Sequence, residues 1–126
     1  MKALAGILVG AGASHVIGSV VLSVVVNGVL GIIAAPLLAI FGWFMVVPEA
    51  IGVGVQWMAY KPLNKRRLVL FTLASCVAAA AVAAAIGPKE VGKESRWRLA
   101  YALAGCCGAA ASAGVVHGMK SLPDKP

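Results

Sequence analysis

Charge is the first thing this chain lacks. Between Ala3 and Tyr60 there is no Lys or Arg and one carboxylate, Glu49. Average soluble domains carry roughly 25% charged residues and are about 45–50% apolar. Here 12% are charged, 61% are hydrophobic, and the mean hydropathy is +0.95. A water-soluble fold of this size is excluded, and the 126 residues leave no room for a soluble catalytic domain beside the apolar runs.

Acidic residues are few: besides Glu49 there are Glu90, Glu94 and Asp124, all in polar stretches. A serine–histidine–acid set cannot be assembled from them. There is also no phosphate-binding glycine loop and no HExxH, so no enzyme is expected. Aromatics make up 6% and do not interleave with the basic residues. The net charge of +7 therefore lacks the stacking partners of a nucleic-acid surface. Cys76, Cys106 and Cys107 lie inside apolar runs, where cysteine behaves as a small hydrophobe. Adjacent cysteines match no metal-ligand spacing.

What remains is long hydrophobic runs. Crossing the roughly 30 Å hydrocarbon core takes about 20 apolar helical residues. The sequence predicts an all-α integral membrane bundle with helices over Ala3–Leu30, Ala34–Tyr60, Leu68–Ile86 and Trp97–Met119. The chain is one transmembrane domain with a basic loop at 61–67, a polar loop at 87–96 and a short tail at 120–126. Asn27-Gly28 is a turn signal, and Pro36 suits the first position of the second helix. Lys2, Ala3–Val9 and Ala11-Gly12-Ala13 have the outline of a signal peptide. Cleavage there would give a leader shorter than the usual ~15–30 residues, so the segment is read as the start of the first span.

Basic residues orient such bundles, because short cytoplasmic loops collect Lys and Arg. With both termini cytoplasmic, the inner side holds Lys2, Lys61, Lys65, Arg66, Arg67, Lys120 and Lys125, against Lys89, Lys93, Arg96 and Arg98 outside. Trp57 and Tyr60 then sit at one interface and Trp97 and Tyr101 at the other, as aromatic belts do.

Small residues recur at helical spacing. Gly6 and Gly10 form one pair, Gly114 and Gly118 another, and Ala100, Ala104, Gly108 and Ser112 repeat every fourth residue. Such faces let membrane helices approach closely. They predict packing within the bundle and association with other copies or other membrane subunits.

The polar residues inside the apolar runs are the candidate site. His15, Ser19, Ser23 and Asn27 fall on one drifting helix face, which either glues helices together or lines a path. Glu49 follows Pro48, with Gln56 two turns on. An ionisable group at the bilayer centre costs about 2.5–3.5 kcal/mol on insertion scales and marks a functional site by default. If the first hairpin turns near Gly31, His15 reaches the depth of Glu49, and the two face each other. Alternatively, Pro48-Glu49 opens a separate interfacial helix. Haem held by His15 and His117 is disfavoured, because the two lie at different depths. No cofactor or metal is expected.

Three readings follow. The first is a structural or accessory subunit of a larger membrane assembly. The second is a homo-oligomeric channel or proton-coupled small-solute transporter using Glu49 and the polar stripe. The third is a holin-like membrane-permeabilising protein. All three place the chain in a bilayer, a bacterial inner membrane being the expected one and a viral membrane the alternative.

Overall fold

The computed structural model describes residues 2–61, 65–87 and 91–121. The described residues form helices without strands: α1 (Lys2–Asn27), α2 (Gly31–Phe41), a 3-10 turn (Trp43–Met45), α3 (Val46–Ala59), α4 (Lys65–Ile86) and α5 (Glu94–Ser121). α1, α4 and α5 are long and apolar enough to cross a membrane, and α2 with α3 makes a fourth candidate span bent by 67°. The expectation for the tail beyond Ser121, and for Pro88 in the polar loop, falls outside the described residues.

Every expected helix changes at an end: α1 stops at Asn27 rather than Leu30, and α2 begins at Gly31 rather than Ala34. α4 begins at Lys65 rather than Leu68, so Lys65, Arg66 and Arg67 form its first turn. α5 runs from Glu94 to Ser121, past both expected ends. The expected single helix Ala34–Tyr60 is two helices, and Pro36 lies inside α2 rather than at its first position.

The break has a local cause. Pro48 has no backbone N–H, and its ring would meet the Phe44 carbonyl in a continuous helix. Proline sits best in a first turn, and α3 begins two residues before Pro48. Upstream, the Gly42 N–H closes on the Leu38 carbonyl at 2.8 Å, and Met45 N–H returns to Gly42 at 2.9 Å. The Gly42 bond is the last helical one, and the 3-10 turn that follows leaves carbonyls at the end of α2 to find other partners.

The first hairpin is tight. Gly28 takes φ +74, the left-handed conformation that glycine adopts without steric cost. Gly31 lies so close to α1 that an added Cβ would collide with the Ser23 carbonyl. The Ser23 hydroxyl donates back to the Gly31 carbonyl at 2.6 Å.

α5 is the hub: it packs along α1 on one side and α4 on another, and touches α3 more lightly. The α1–α5 seam is an antiparallel ladder of small residues. Gly10 meets Ser112, Ser14 meets Gly108, and Gly18 meets the Ala104 backbone. On the α4 side, Gly105 approaches the Ala79 carbonyl and Ala83, and the Cys76 thiol donates to the Cys106 carbonyl at 3.2 Å. α3 lies on α1 with Trp57 over Gly6 and Val53 over Gly10. Ala11, Val53, Tyr60 and Val116 are buried where α1, α3 and α5 meet. Gly114 and Gly118, expected in the same packing role, face open space.

Two basic side chains close helix ends. Arg96 donates to the Val26 carbonyl at 2.9 Å, at the end of α1. Lys120 donates to the carbonyls of Trp57 and Tyr60, at the end of α3, and sits over the Trp57 ring. Cations at helix C-termini complement the negative end of the dipole and satisfy orphan carbonyls.

Candidate functional site: a histidine–glutamate pair at a broken helix

The break brings three elements to one point. His15 lies midway along α1, and Glu49 is in the first turn of α3. Ala59, the end of α3, is ten residues beyond Glu49, or about 15 Å at 1.5 Å rise per residue. His15 Nδ1 is 3.1 Å from Glu49 Oε2 and 3.4 Å from Oε1. On its other edge, His15 Nε2 is 2.7 Å from the Ala39 carbonyl, in the last turn of α2. The side chains are 12% and 22% exposed. Gly42 packs closely on α2, where an added Cβ would lie 2.9 Å from the Leu38 carbonyl oxygen, and it comes within ordinary contact distance of His15.

These contacts fix the protons. A carbonyl only accepts, so Nε2 carries hydrogen. Nδ1 and the carboxylate then bond only if one further proton lies between them. Whether that proton rests on nitrogen or oxygen, the pair is neutral overall, the form that an apolar interior tolerates. Removing it leaves one negative charge and sets a nitrogen lone pair against a carboxylate.

The pair faces a cavity of about 540 Å³. Phe41, Phe44 and Met45 from the break, Val82 and Ile86 of α4, and Tyr101 of α5 supply much of its wall. α4 rests on α5 and has no extensive contact with α2 or α3, so the cavity opens between α4 and the bent span. Its polar edge holds Gln56, whose amide donates to the Ala109 carbonyl at 3.3 Å and whose carbonyl accepts from the Ser112 hydroxyl at 2.7 Å.

The polar stripe divides. His15 and Ser19 line the cavity. Ser23 is committed to the first hairpin, and Asn27 is exposed at the end of α1. His117 is elsewhere, with Nδ1 2.5 Å from the Tyr60 hydroxyl, so the two histidines serve different partners. A separate helix does begin here, but at Val46 rather than at Pro48 as the alternative reading had it, and Glu49 in its first turn is half-buried against His15. Sequence reasoning missed the Ala39 carbonyl, because a backbone acceptor has no residue signature. Gly42 and Pro48, two helix breakers inside one span, were the available signal. It also missed Ser14 and Gly18, whose spacing from Gly10 continues the small-residue ladder.

Comparison with family models, with curated proteins and with solved structures gives no match to this chain, so its chemistry is read from these residues alone.

Proposed function

We propose that the chain is a multi-pass protein of a membrane such as the bacterial inner membrane, with four spans and both termini cytoplasmic, acting as a proton-coupled small-solute transporter. The observation that carries this reading is the His15–Glu49–Ala39 contact at the break of a discontinuous span, facing a cavity. Ionisable groups inside membrane helices mark ion and proton pathways. Discontinuous helices are tolerated at membrane depth where they line a cavity or are buried in protein, and transporters use them at their binding sites. A purely structural subunit needs neither feature, so this reading moves ahead of the accessory one. In proteoliposomes with an imposed pH gradient, an interior pH dye and a panel of small organic solutes supplied on one side, the wild-type chain dissipates the gradient when a solute it carries is present. Glu49→Gln abolishes that flux while elution and helix content stay unchanged. Undiminished flux in Glu49→Gln removes the pair from the mechanism.

A second reading keeps the chain as a subunit of a larger assembly. Gly114 and Gly118 support it, because among the described residues nothing lies within 4 Å of a Cβ added at either. Native mass spectrometry of protein extracted gently from its own membrane separates the two readings. Unlike chains in fixed ratio support the subunit, and a chain alone or with its own copies supports the transporter.

A further inference from the structure

Resting on the transporter reading, we infer that the cavity takes a monovalent organic cation with an apolar, aromatic-sized body, in one-for-one exchange for the proton held between His15 and Glu49.

The charge state gives the stoichiometry. Among the described residues, the titratable side chains lining the cavity are His15 from α1, Glu49 from α3 and Tyr101 from α5; α2 and α4 contribute none. With its shared proton the pair is neutral. When that proton leaves for water, Glu49 is a carboxylate beside a neutral His15. His15 cannot compensate by turning its remaining proton to Glu49 without giving up the Ala39 carbonyl. The cavity then holds one uncompensated negative charge against apolar walls, an arrangement disfavoured until a cation enters. One positive charge restores neutrality, and proton and cation exclude each other by charge balance alone.

The walls choose the kind of cation. A small inorganic ion needs a shell of oxygen ligands. The lining has a few scattered hydroxyl and amide oxygens, Ser14, Ser19, Ser75 and Gln56, within a largely apolar wall that includes Phe41, Phe44 and Tyr101; aromatic rings attract weakly hydrated organic cations. The volume of about 540 Å³ is within the range of drug-sized ligand sites. The opening between α4 and the bent span lies along the side of the bundle, so an apolar cation enters sideways from lipid.

The test uses the full chain in detergent micelles, with tetraphenylphosphonium as the probe and sodium as the control. Calorimetric titration in two buffers of different ionisation heat reads both affinity and protons released. The expected result is saturable tetraphenylphosphonium binding with one proton released per cation, weakening as pH falls, and no competition from sodium. Glu49→Gln weakens binding by about tenfold or more, the scale on which an opposing buried charge matters, and releases no proton. The wild-type proton count stands without any variant, so a misfolded Glu49→Gln does not blunt the test. Folded wild type that binds no tetraphenylphosphonium, binds it without proton release, or carries a second membrane chain that fills the groove and blocks it, overturns the inference. Proton flux in liposomes without cation binding leaves the transporter reading standing and removes only the substrate class. Binding with proton release but no flux does the reverse.

Discussion

Gly108 and Gly114 stand six residues apart on α5, and the structure gives them opposite environments. A Cβ at Gly108 would lie 2.7 Å from Ser14 Oγ and 2.9 Å from the Ser14 carbonyl oxygen, whereas one at Gly114 meets nothing within 4 Å. The hydroxyl can rotate away but the carbonyl cannot, so Gly108→Ala forces α1 and α5 apart by about 0.5 Å to reach ordinary contact. A gap of roughly 0.5–1 Å already forfeits a quarter to a half of each dispersion contact. Here the loss extends to the neighbouring rungs, Gly10 with Ser112 and Gly18 with Ala104. Overpacking of this kind costs about 1–3 kcal/mol. Both substitutions share the gain of up to about 1 kcal/mol from replacing a helical glycine by alanine, so their difference isolates the packing term. Denaturation of purified protein in mixed micelles, followed by helical circular dichroism, measures it. Gly108→Ala should unfold earlier than Gly114→Ala by about 1–3 kcal/mol, with Gly114→Ala at or above wild type. Equal stability of the two variants would refute the antiparallel ladder as the seam that holds α1 to α5.

Other outcomes test other parts of the fold. Ser112→Ala leaves the Gln56 carbonyl without its donor and should cost about 0.6–1.7 kcal/mol, the range for polar contacts between membrane helices; adding Gln56→Met should recover part of that loss in the same unfolding assay. Lys120→Met removes the donor to the Trp57 and Tyr60 carbonyls and the charge over the Trp57 ring, and should cost about 1 kcal/mol, more at low salt than at high salt; no dependence on salt would argue against an electrostatic cap. Single cysteines at Lys61 and Lys93, in a background lacking Cys76, Cys106 and Cys107, should be labelled from opposite sides of sealed vesicles, with Lys61 on the cytoplasmic side. Labelling of both from one side would reverse or break the four-span arrangement.

The apolar runs long enough to cross a bilayer were legible because bilayer-length apolar stretches and charged punctuation are properties of composition, but the second of them is two helices rather than the one expected. The first hairpin was signalled by Asn27-Gly28, where a positive φ needs glycine, although the first helix was expected to run on to Leu30 and in fact ends at Asn27. The meeting of His15 and Glu49 was legible because a hairpin turning near Gly31 sets both at one depth. Other features were not, for specific reasons. A proline can begin a helix, kink one or end one, so Pro48 alone did not show that the second span is broken, and Pro36, treated as a helix start, sits inside α2. Ser19, Ser23 and Asn27 share a face by spacing, yet spacing does not say which neighbour each will find: Ser23 met a carbonyl across the hairpin, and Asn27 met the end of its helix. The two GxxxG pairs read alike, and only the placement of α3 distinguishes Gly6 and Gly10, covered by Trp57 and Val53, from Gly114 and Gly118, which are open.

The break also explains why this pair, rather than a lone Glu49, can persist in an apolar bundle. A continuous helix through Gly42 and Pro48 would engage the Ala39 carbonyl in its own ladder. His15 would then have no fixed acceptor for Nε2, and either ring nitrogen could carry the proton. Freed by the break, that carbonyl accepts from Nε2 at 2.7 Å and so commits Nδ1 to Glu49 at 3.1 Å. The backbone defect thus sets the tautomer, and the tautomer sets where the exchangeable proton must sit. Repairing the defect is therefore a test of the chemistry as well as of the fold. Pro48→Ala restores a backbone N–H that can donate to Phe44 and lowers the cost of a straight span by about 3 kcal/mol. If α2 and α3 straighten, Ala39 is recaptured, and proton flux should fall even though His15 and Glu49 are both intact. A straightened span, read from a changed distance between spin labels on α2 and α3, with flux unchanged would show that the pair works without its backbone acceptor.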